Sequence, residues 1–203
     1  MSPRCTIVVL AKAPVAGYAK TRLIPALGAA GAARLAQRFL TETITQALAA
    51  ELGEVQLCCA PDRHDPAFSS TVLHPHVVRT DQGDGDLGER MARALHRCLV
   101  SGGCAILVGT DTPALDARCL RLAQHALVDH DAVFVPTFDG GYALVGLGRP
   151  APQLFDNMPW SSSRVMALTR ERLVASGLRH VELEMLVDVD EPADLEHVPA
   201  AWL

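Results

Sequence analysis

The sequence predicts an α/β fold with a mainly parallel sheet that is covered by helices on both faces. Strand-like apolar runs alternate along the chain with segments whose apolar residues recur at helical spacing. Several of the runs, such as "CTIVVLA" at 5–11 and "CAILVGT" at 104–110, are continuously apolar instead of alternating. Continuous apolar runs are typical of strands buried on both faces.

The elements of the first half follow this alternation. Residues 29–51 carry apolar side chains at helical spacing before the terminating Gly53. Short runs bounded by turn residues predict the next two strands, and one apolar face predicts the helix that follows them. The predicted order is a strand at 5–11, a helix at 29–51, strands at 55–60 and 76–80, and a helix at 87–99.

The second half continues the pattern. The turn residues Asp139 and Gly140 separate two apolar runs, and Pro192 is placed where a terminal helix would begin. The predicted order is a strand at 104–110, a helix at 114–128, strands at 132–138 and 141–147, a helix at 165–176, and a strand at 180–186.

Length and composition predict one globular domain that spans residues 1–203. The chain is 49% hydrophobic and 20% charged, which is enough apolar side chain for a core. A single core can serve a chain of up to roughly 250 residues. Six cysteines without C-x-x-C spacing argue against a zinc site, and we expect them to be reduced and buried.

The charge pattern argues against nucleic acid and membrane partners. The net charge is −5, and the one basic group is small, so no stripe is available to neutralise a nucleic-acid backbone. No apolar run approaches the ~20 residues needed to cross a bilayer, and the N-terminal run is too short for a signal peptide. We therefore expect a cytoplasmic protein.

The loop after the first strand, "AKAPVAGYAKTRL", is a candidate phosphate-binding loop. In open parallel sheets, ligands bind beyond the carboxyl ends of the strands. Lys12, Lys20 and Arg22 could contact the oxygens of a di- or triphosphate, while Gly17 allows close approach of the backbone. Thr21 could add a hydroxyl or cap a helix. The loop lacks the glycine spacing of a P-loop, and the alternative is a solvated surface loop.

Two further loops at this edge carry polar side chains. In "TDQGDGDLGERM", the amide of Gln82 could pair with the edge of a base, although a plain turn with Asp84 or Asp86 as a helix cap is the alternative. Asp111 directly follows the fourth strand, where a carboxylate could bind a divalent cation that also holds phosphate. The alternative is a helix cap formed by Asp111 or Thr112.

Other carboxylates favour the metal interpretation. Asp139 follows the fifth strand, and Asp188 and Asp190 follow the last long strand. Asp190, two residues before Pro192, is also typical of a helix start. Capping does not account for carboxylates after three strands with a basic loop after the first, whereas magnesium bound to phosphate accounts for the whole set.

Six segments in order resemble a bacterial group of glycosyltransferase-A-like proteins of the nucleotide-diphospho-sugar transferase superfamily, some of which are linked to arsenosugar biosynthesis. The resemblance covers nearly the whole chain, and it implies a three-layer α/β/α sandwich with a Rossmann-like nucleotide half. More distant similarity extends to guanylyltransferases that act on 2-phospholactate and on the molybdenum cofactor. The segments are "KAPVAGYAKTRL", "QGDGDLGERM", "VGTDTPAL", "PTFDGGYALVGL", "MPWSSSRVMALT" and "LVDVDEPADL".

The resemblance implies a role for each matching residue. Phosphates would be held by Lys12, Lys20 and Arg22, the base would lie near Gln82 and Gly83, and the metal would be held by Asp111 with Asp188 or Asp190. The sugar or acceptor would face Asp139, Gly140, Gly141, Tyr142, Trp160 and Ser161. For Trp160, simple packing in the core is the alternative.

We therefore expect a metal-dependent transferase that uses Mg²⁺ or Mn²⁺ to move a glycosyl group from a nucleotide sugar to a small-molecule acceptor. Asp111, Lys20 and Arg22 would carry catalysis. Glycosyltransferases of this fold commonly have a D-x-D motif, whereas Asp111 stands alone in "GTDTP". A nucleotidyltransferase that uses a nucleoside triphosphate and releases pyrophosphate is therefore the alternative, and a nucleotide-binding module without turnover is a third hypothesis.

Overall fold

The computed structural model describes residues 4–69, 75–100 and 102–203. Within these residues the chain forms one seven-stranded sheet in the order β3-β2-β1-β4-β6-β5-β7. The strands are β1 (Cys5–Lys12), β2 (Val55–Ala60), β3 (Val77–Asp81), β4 (Cys104–Val108), β5 (Ala132–Pro136), β6 (Tyr142–Leu147) and β7 (His180–Glu182).

The predicted α/β class with a mainly parallel sheet is confirmed. Strands β1 to β4 pair in parallel, as do β5 and β7, whereas β6 runs antiparallel to both β4 and β5. Because only the tight turn at 137–141 joins β5 to β6, there is no room for the crossover that a parallel connection needs.

Helices cover both faces of the sheet. The helices are α1 (Ile24–Ala49), α2 (Pro66–Ser69), α3 (Leu87–Leu99), α4 (Ala117–Ala126) and α5 (Val165–Ala175), with short 3-10 helices η1 (Thr21–Leu23), η2 (Pro152–Leu154), η3 (Pro192–His197) and η4 (Ala200–Trp202). Alternate residues of β1 face opposite layers: Ile7 packs with α1 and α4, and Val8 packs with α3 and α5. This is the three-layer sandwich that the resemblance implied.

Helix α1 is interrupted near its start. Gly28 has φ 68° and ψ 164°, so the regular helix runs from the next residue, where the sequence predicted its beginning. A positive φ of this kind is readily adopted only by glycine. The preceding turn, with η1, connects the helix to the loop after β1.

Helix caps decide the interpretation of several aspartates. Helix α4 begins at Ala117 instead of 114, because Asp116 is its N-cap and accepts a hydrogen bond from Cys119 N at 2.8 Å. The alternative of Asp111 or Thr112 as the cap is therefore wrong. Asp86 caps α3 as predicted, in a capping box with Glu89.

The C-terminal region differs from the prediction in two ways. Strand β7 ends at Glu182, and the chain regains a single parallel bridge to β5 between Thr137 and Leu186. The terminal helix is a 3-10 helix whose N-cap is Glu191, so the interpretation of Asp190 as a helix cap is wrong. None of the described helices is long and apolar enough to cross a membrane.

Candidate functional site

Lys20 is the centre of the candidate site, although its side chain is only 5% exposed. Its Nζ lies 2.7 Å from Asp111 Oδ1 and 3.7 Å from Asp190 Oδ1, and it donates a 2.5 Å hydrogen bond to the carbonyl oxygen of Val189. One side of the ammonium faces the ring of Phe39, with 5.5 Å to the ring centroid. Burying an ammonium requires such paired oxygens.

The loop after β1, the turn after β4 and the chain after β7 meet at Lys20. Strand β4, which leads to Asp111, pairs directly with β1, which leads to the loop of Lys20. The chain after β7 returns to the same place, where Val189 N donates to Asp111 O at 2.8 Å. Arg22 completes the contact, with Nη1 at 2.5 Å from Asp190 Oδ2. The predicted set of Lys20, Arg22, Asp111 and Asp190 is thus one cluster.

The charges of Asp111, Asp139 and Asp190 act on the carboxyl of Asp188 at this edge, and we call these four aspartates the acidic edge. The pKa of the Asp188 carboxyl is raised to about 6, mainly by burial and also by the charges of Asp139, Asp190 and Asp111. No ion pair to Asp188 occurs in the described part of the chain. The edge therefore carries more negative charge than Lys20 and Arg22 balance.

The donor chemistry of the acidic edge fits a hard divalent cation, since Mg²⁺ and Mn²⁺ prefer carboxylate and carbonyl oxygens. Among residues 4–69, 75–100 and 102–203, however, no three His, Cys, Asp or Glu side chains are close enough to hold a metal ion. Magnesium is usually bound by one or two carboxylates together with substrate phosphates and water. The residues fit a cation that arrives with phosphate better than a closed protein cage.

The other residues of the predicted phosphate loop lie along the exposed side of the same segment. Lys12 ends β1 with an exposed side chain, and Thr21 opens η1, also exposed. Gly17 has φ +80°, and a Cβ there would meet nothing within 4 Å. These residues border the cluster without pairing with its carboxylates.

Gln82 is buried and its amide is already used. The Nε2 group donates to Ala11 O at 3.0 Å and to Cys58 O at 3.1 Å, so both amide protons bind the ends of β1 and β2. In this arrangement the side chain has no proton left to donate to a base. The backbone carbonyls of Gln82 and Asp84 accept hydrogen bonds from Arg93. The guanidinium of Arg93 lies so close to Gly83 that a Cβ there would be 2.7 Å from Nη1.

Arg93 is a functional candidate that the sequence did not single out. Its guanidinium holds two carbonyls of the loop at 82–85, and α3 also supplies Arg90, which donates to Gly85 O at 2.9 Å. The available signal was an arginine in the second turn of the helix that follows a glycine-rich loop. That signal is weak, because most helical arginines are solvated.

The predicted acceptor residues separate into a turn and a packed pair. Gly140 has φ +90° and lies so close to Ser163 that a Cβ would be 2.2 Å from its carbonyl oxygen. The carboxylate of Asp139 accepts hydrogen bonds from Thr137 Oγ1 at 2.5 Å and Gly141 N at 2.9 Å. This close approach joins the turn to the segment of Ser161, which is exposed with φ 62°.

Tyr142 and Trp160 pack with each other behind this turn. Their rings meet edge to face at 6.5 Å, and burial raises the pKa of the Tyr142 phenol above its usual range. The Trp160 indole lies against Gly88, where an added Cβ would be 2.8 Å from Nε1. The buried Nε1 has no hydrogen-bond partner among the residues that the structure describes. This is the core-packing interpretation that the sequence left open for Trp160.

Comparison with solved structures places the chain among nucleotide-dependent transferases by fold. A Desulfovibrio desulfuricans G20 protein, whose description proposes a nucleotide-diphospho-sugar transferase, is 30% identical, covers 93% of this chain and 83% of its own, and has a TM-score of 0.85. A CMP:2-keto-3-deoxy-manno-octonic acid synthetase complexed with CTP is 14% identical over 96% of each chain, with a TM-score of 0.61.

A manganese complex of a protein from Mycobacterium tuberculosis H37Rv is 17% identical, covers 96% of this chain and 97% of its own, and has a TM-score of 0.50. At these lower identities the likeness shows the fold alone. None of the curated proteins matches the sequence.

The sequence itself matches a family over residues 43–162, which includes Asp111 and the turn at Gly140. This match covers more than half of the chain, and the Desulfovibrio protein extends the likeness to nearly all of it. The chain belongs to the family described as "Uncharacterized protein conserved in bacteria (DUF2064)", on a nucleotide-diphospho-sugar transferase fold.

Proposed function

We propose that this protein is a metal-dependent transferase that moves a glycosyl group from a nucleotide sugar to a small-molecule acceptor. The observation that carries the proposal is the meeting of Lys20 and Arg22 with Asp111 and Asp190 beyond the carboxyl ends of the strands. Parallel α/β sheets bind nucleotides at this edge. The likeness to the Desulfovibrio protein, at 30% identity, supports a nucleotide-sugar donor.

Each group has a role that follows from its charge and position. Lys12, Lys20 and Arg22 bind the diphosphate of the donor, and Asp111 with Asp190 or Asp188 holds the cation. When bound, Mg²⁺ or Mn²⁺ stabilises negative charge on the departing diphosphate. Fixed donors such as Arg22 add to this, with each well-placed group lowering the barrier by about 2–4 kcal/mol. The manganese complex among the structural neighbours supports the metal.

The acceptor region in this proposal is the turn of Asp139, Gly140 and Gly141 together with Ser161. The turn presents the exposed carboxylate of Asp139, a member of the acidic edge, while the N–H groups of Gly140 and Gly141 donate to Thr137 O and Asp139 Oδ1. Tyr142 and Trp160 support it from behind by packing. Gln82 and Gly83 border the base, where the Gln82 side chain can act only through its oxygen, because its amide protons are used.

A nucleotidyltransferase is the second candidate, and one observation favours it. Asp111 is the one aspartate in the turn after β4, as in "GTDTP", so the D-x-D pair of many glycosyltransferases is missing. The synthetase complexed with CTP shares the fold. In this reaction the same cluster would hold a nucleoside triphosphate, and pyrophosphate would leave.

A ligand panel separates the two candidates. The melting temperature of the purified protein is measured with Mg²⁺ and either nucleoside triphosphates or nucleotide sugars, and hits are then incubated with mixed small acceptors. We expect a nucleotide sugar to raise the melting temperature most and to release nucleoside diphosphate. Release of pyrophosphate from a triphosphate would identify the second candidate instead. Absence of binding by either class would contradict both.

A further inference from the structure

Lys20 occupies a position that suits a metal ion. Its ammonium is surrounded by the Oδ1 atoms of Asp111 and Asp190, at 2.7 and 3.7 Å, and by the Val189 carbonyl oxygen at 2.5 Å. Two carboxylates and a carbonyl are the kind of hard-oxygen set that binds Mg²⁺ and Mn²⁺. The side chain is 5% exposed, so these oxygens are its environment in place of water.

Lys20 and a divalent cation therefore compete for the same carboxylates. Like charges at contact distance repel strongly, and the effect grows as water is excluded. Asp190 is further committed through its Oδ2 atom, which lies 2.5 Å from Arg22 Nη1. While the ammonium remains on Asp111, a metal ion on the same pair of side chains is disfavoured.

The conformation and exposure of the loop would allow the side chain of Lys20 to leave this position. Lys20 has φ 50° and ψ 42°, a left-handed conformation that costs a residue with a side chain some stability. Ala19, directly before Lys20, is buried, but positions 15–18 are exposed and a Cβ at Gly17 would meet nothing within 4 Å. The side of the loop that faces solvent, where donor phosphates would arrive, is therefore open to a movement of Lys20.

On the basis of the proposed function, we infer that Lys20 is the built-in counter-ion of the metal site and is exchanged when the donor binds. In the free protein its ammonium pairs with Asp111 and Asp190. When a pyrophosphate group enters, Lys20 moves to the phosphate oxygens and leaves the two carboxylates to the divalent cation. Metal and pyrophosphate groups then bind with positive coupling, and the metal binds poorly alone.

The sequence makes this exchange measurable, because the chain contains only two lysines, Lys12 and Lys20. Lys12→Met is a matched control for Lys20→Met, since it removes the same charge from the same loop. Lys12 is exposed and makes no ion pair within the described ranges. Methionine at position 20 keeps an apolar stem of similar length over Phe39.

The first test titrates the three proteins with Mn²⁺ by calorimetry, with and without inorganic pyrophosphate. We expect Mn²⁺ alone to bind Lys20→Met about tenfold more tightly than wild type. Lys12→Met, which leaves the ammonium of Lys20 on Asp111, should show no such gain in the absence of pyrophosphate. Pyrophosphate should raise the Mn²⁺ affinity of wild type by about tenfold. The gain should be smaller in Lys20→Met, because this variant has no ammonium that pyrophosphate could draw away from the carboxylates. Equal Mn²⁺ affinity in folded Lys20→Met and wild type would overturn the exchange.

The second test follows Lys20 directly and needs no variant to fold. Isotope-labelled lysine gives two side-chain signals in the NMR spectrum, and we expect Mg²⁺ with pyrophosphate, but not Mg²⁺ alone, to shift the Lys20 signal. If the pair binds while that signal stays in place, Lys20 is fixed, and the exchange is wrong although the proposed function stands. If neither pyrophosphate nor any nucleotide binds, the proposed function fails first.

Discussion

The two ends of the sheet hold aspartates in opposite ways. At the amino end, Asp131 precedes β5 and accepts hydrogen bonds from Arg149 Nε at 3.2 Å and Arg179 N at 2.9 Å. The hydrogen bond from the Arg179 backbone and the nearby guanidinium groups hold the pKa of that carboxyl below its usual range. At the carboxyl end, burial and neighbouring carboxylates raise the pKa of Asp188 to about 6.

The difference separates a structural carboxylate from those of the candidate functional site. The charged form of Asp131 stabilises the native state, because the carboxylate is bound there by the Arg179 N–H group and by guanidinium groups. The charged form of Asp188 destabilises the native state, because folding buries the carboxylate and places it near others of the same sign. Destabilising arrangements of this kind concentrate at functional sites, where a ligand supplies the missing charge. The acidic edge, and not the amino end, is therefore the place to test.

The largest effect is expected from Asp111→Asn. Loss of this carboxylate should lower the turnover of the donor by about a hundredfold or more, because both the cation and Lys20 lose their principal oxygen partner. Asp131→Asn, the same change at the other end of the sheet, should keep turnover close to wild type. Steady-state rates with Mg²⁺ check this, and similar circular dichroism spectra control for folding. Equal loss in both variants would remove the functional distinction.

A smaller effect of unusual sign is expected from Asp188→Asn. The raised pKa means that the native carboxyl keeps its proton after the unfolded one has lost it, so stability falls as pH rises between about 4 and 6. At about pH 8 the amide should therefore stabilise the free protein by about 1–2 kcal/mol, or a few degrees in Tm. At about pH 4 the variant and the wild type should have nearly the same Tm. Thermal unfolding at both pH values is the measurement, and a lower Tm at pH about 8 would contradict it.

The smallest effect, and the opposite sign, is expected from Asp131→Asn. Because the pKa of Asp131 is lower in the native state, its charge stabilises the fold at pH values above the unfolded pKa of about 3.9. This stabilisation is lost as pH falls through the native pKa. The variant should lose about 1 kcal/mol near neutral pH, with little difference from wild type in strong acid. Urea unfolding across that range provides the check. A loss that persists unchanged in strong acid would exclude the electrostatic cause.

Most of the fold was predictable, because apolar runs and helix caps are local signals. The strand runs at 5–11 and 104–110 proved to be β1 and β4, and the predicted turn residues Asp139 and Gly140 lie in the turn between β5 and β6. The antiparallel direction of β6 was not predicted, although the short turn at 137–141 leaves no room for a parallel crossover. The pairing of β6 with β4 joins segments far apart in the sequence, so no local pattern indicated it. The cap of α4 was also missed, because only Asp111 and Thr112 were considered, whereas Asp116 caps the helix.

Some residues of the candidate site could be predicted from local sequence and others could not, because their contacts come from distant parts of the chain. Residues that follow strands could be assigned to one edge from sheet geometry, and the structure brings Lys20, Arg22, Asp111 and Asp190 together there. The use of the Gln82 amide by backbone carbonyls depends on contacts across the sheet, so composition gave no sign of it. Arg93 escaped notice for a similar reason, because its partners are backbone atoms.

The sequence by itself determined the class of fold and the kinds of side chain at the carboxyl edge, because strand burial and chain order follow from local patterns of hydrophobicity. Only the tertiary structure decided which oppositely charged groups pair. Lys20 and Val189 are 169 positions apart, yet their atoms form a hydrogen bond in a space that little water reaches. At such separations the electrostatic balance of a site is set by distance and burial, which no single segment encodes.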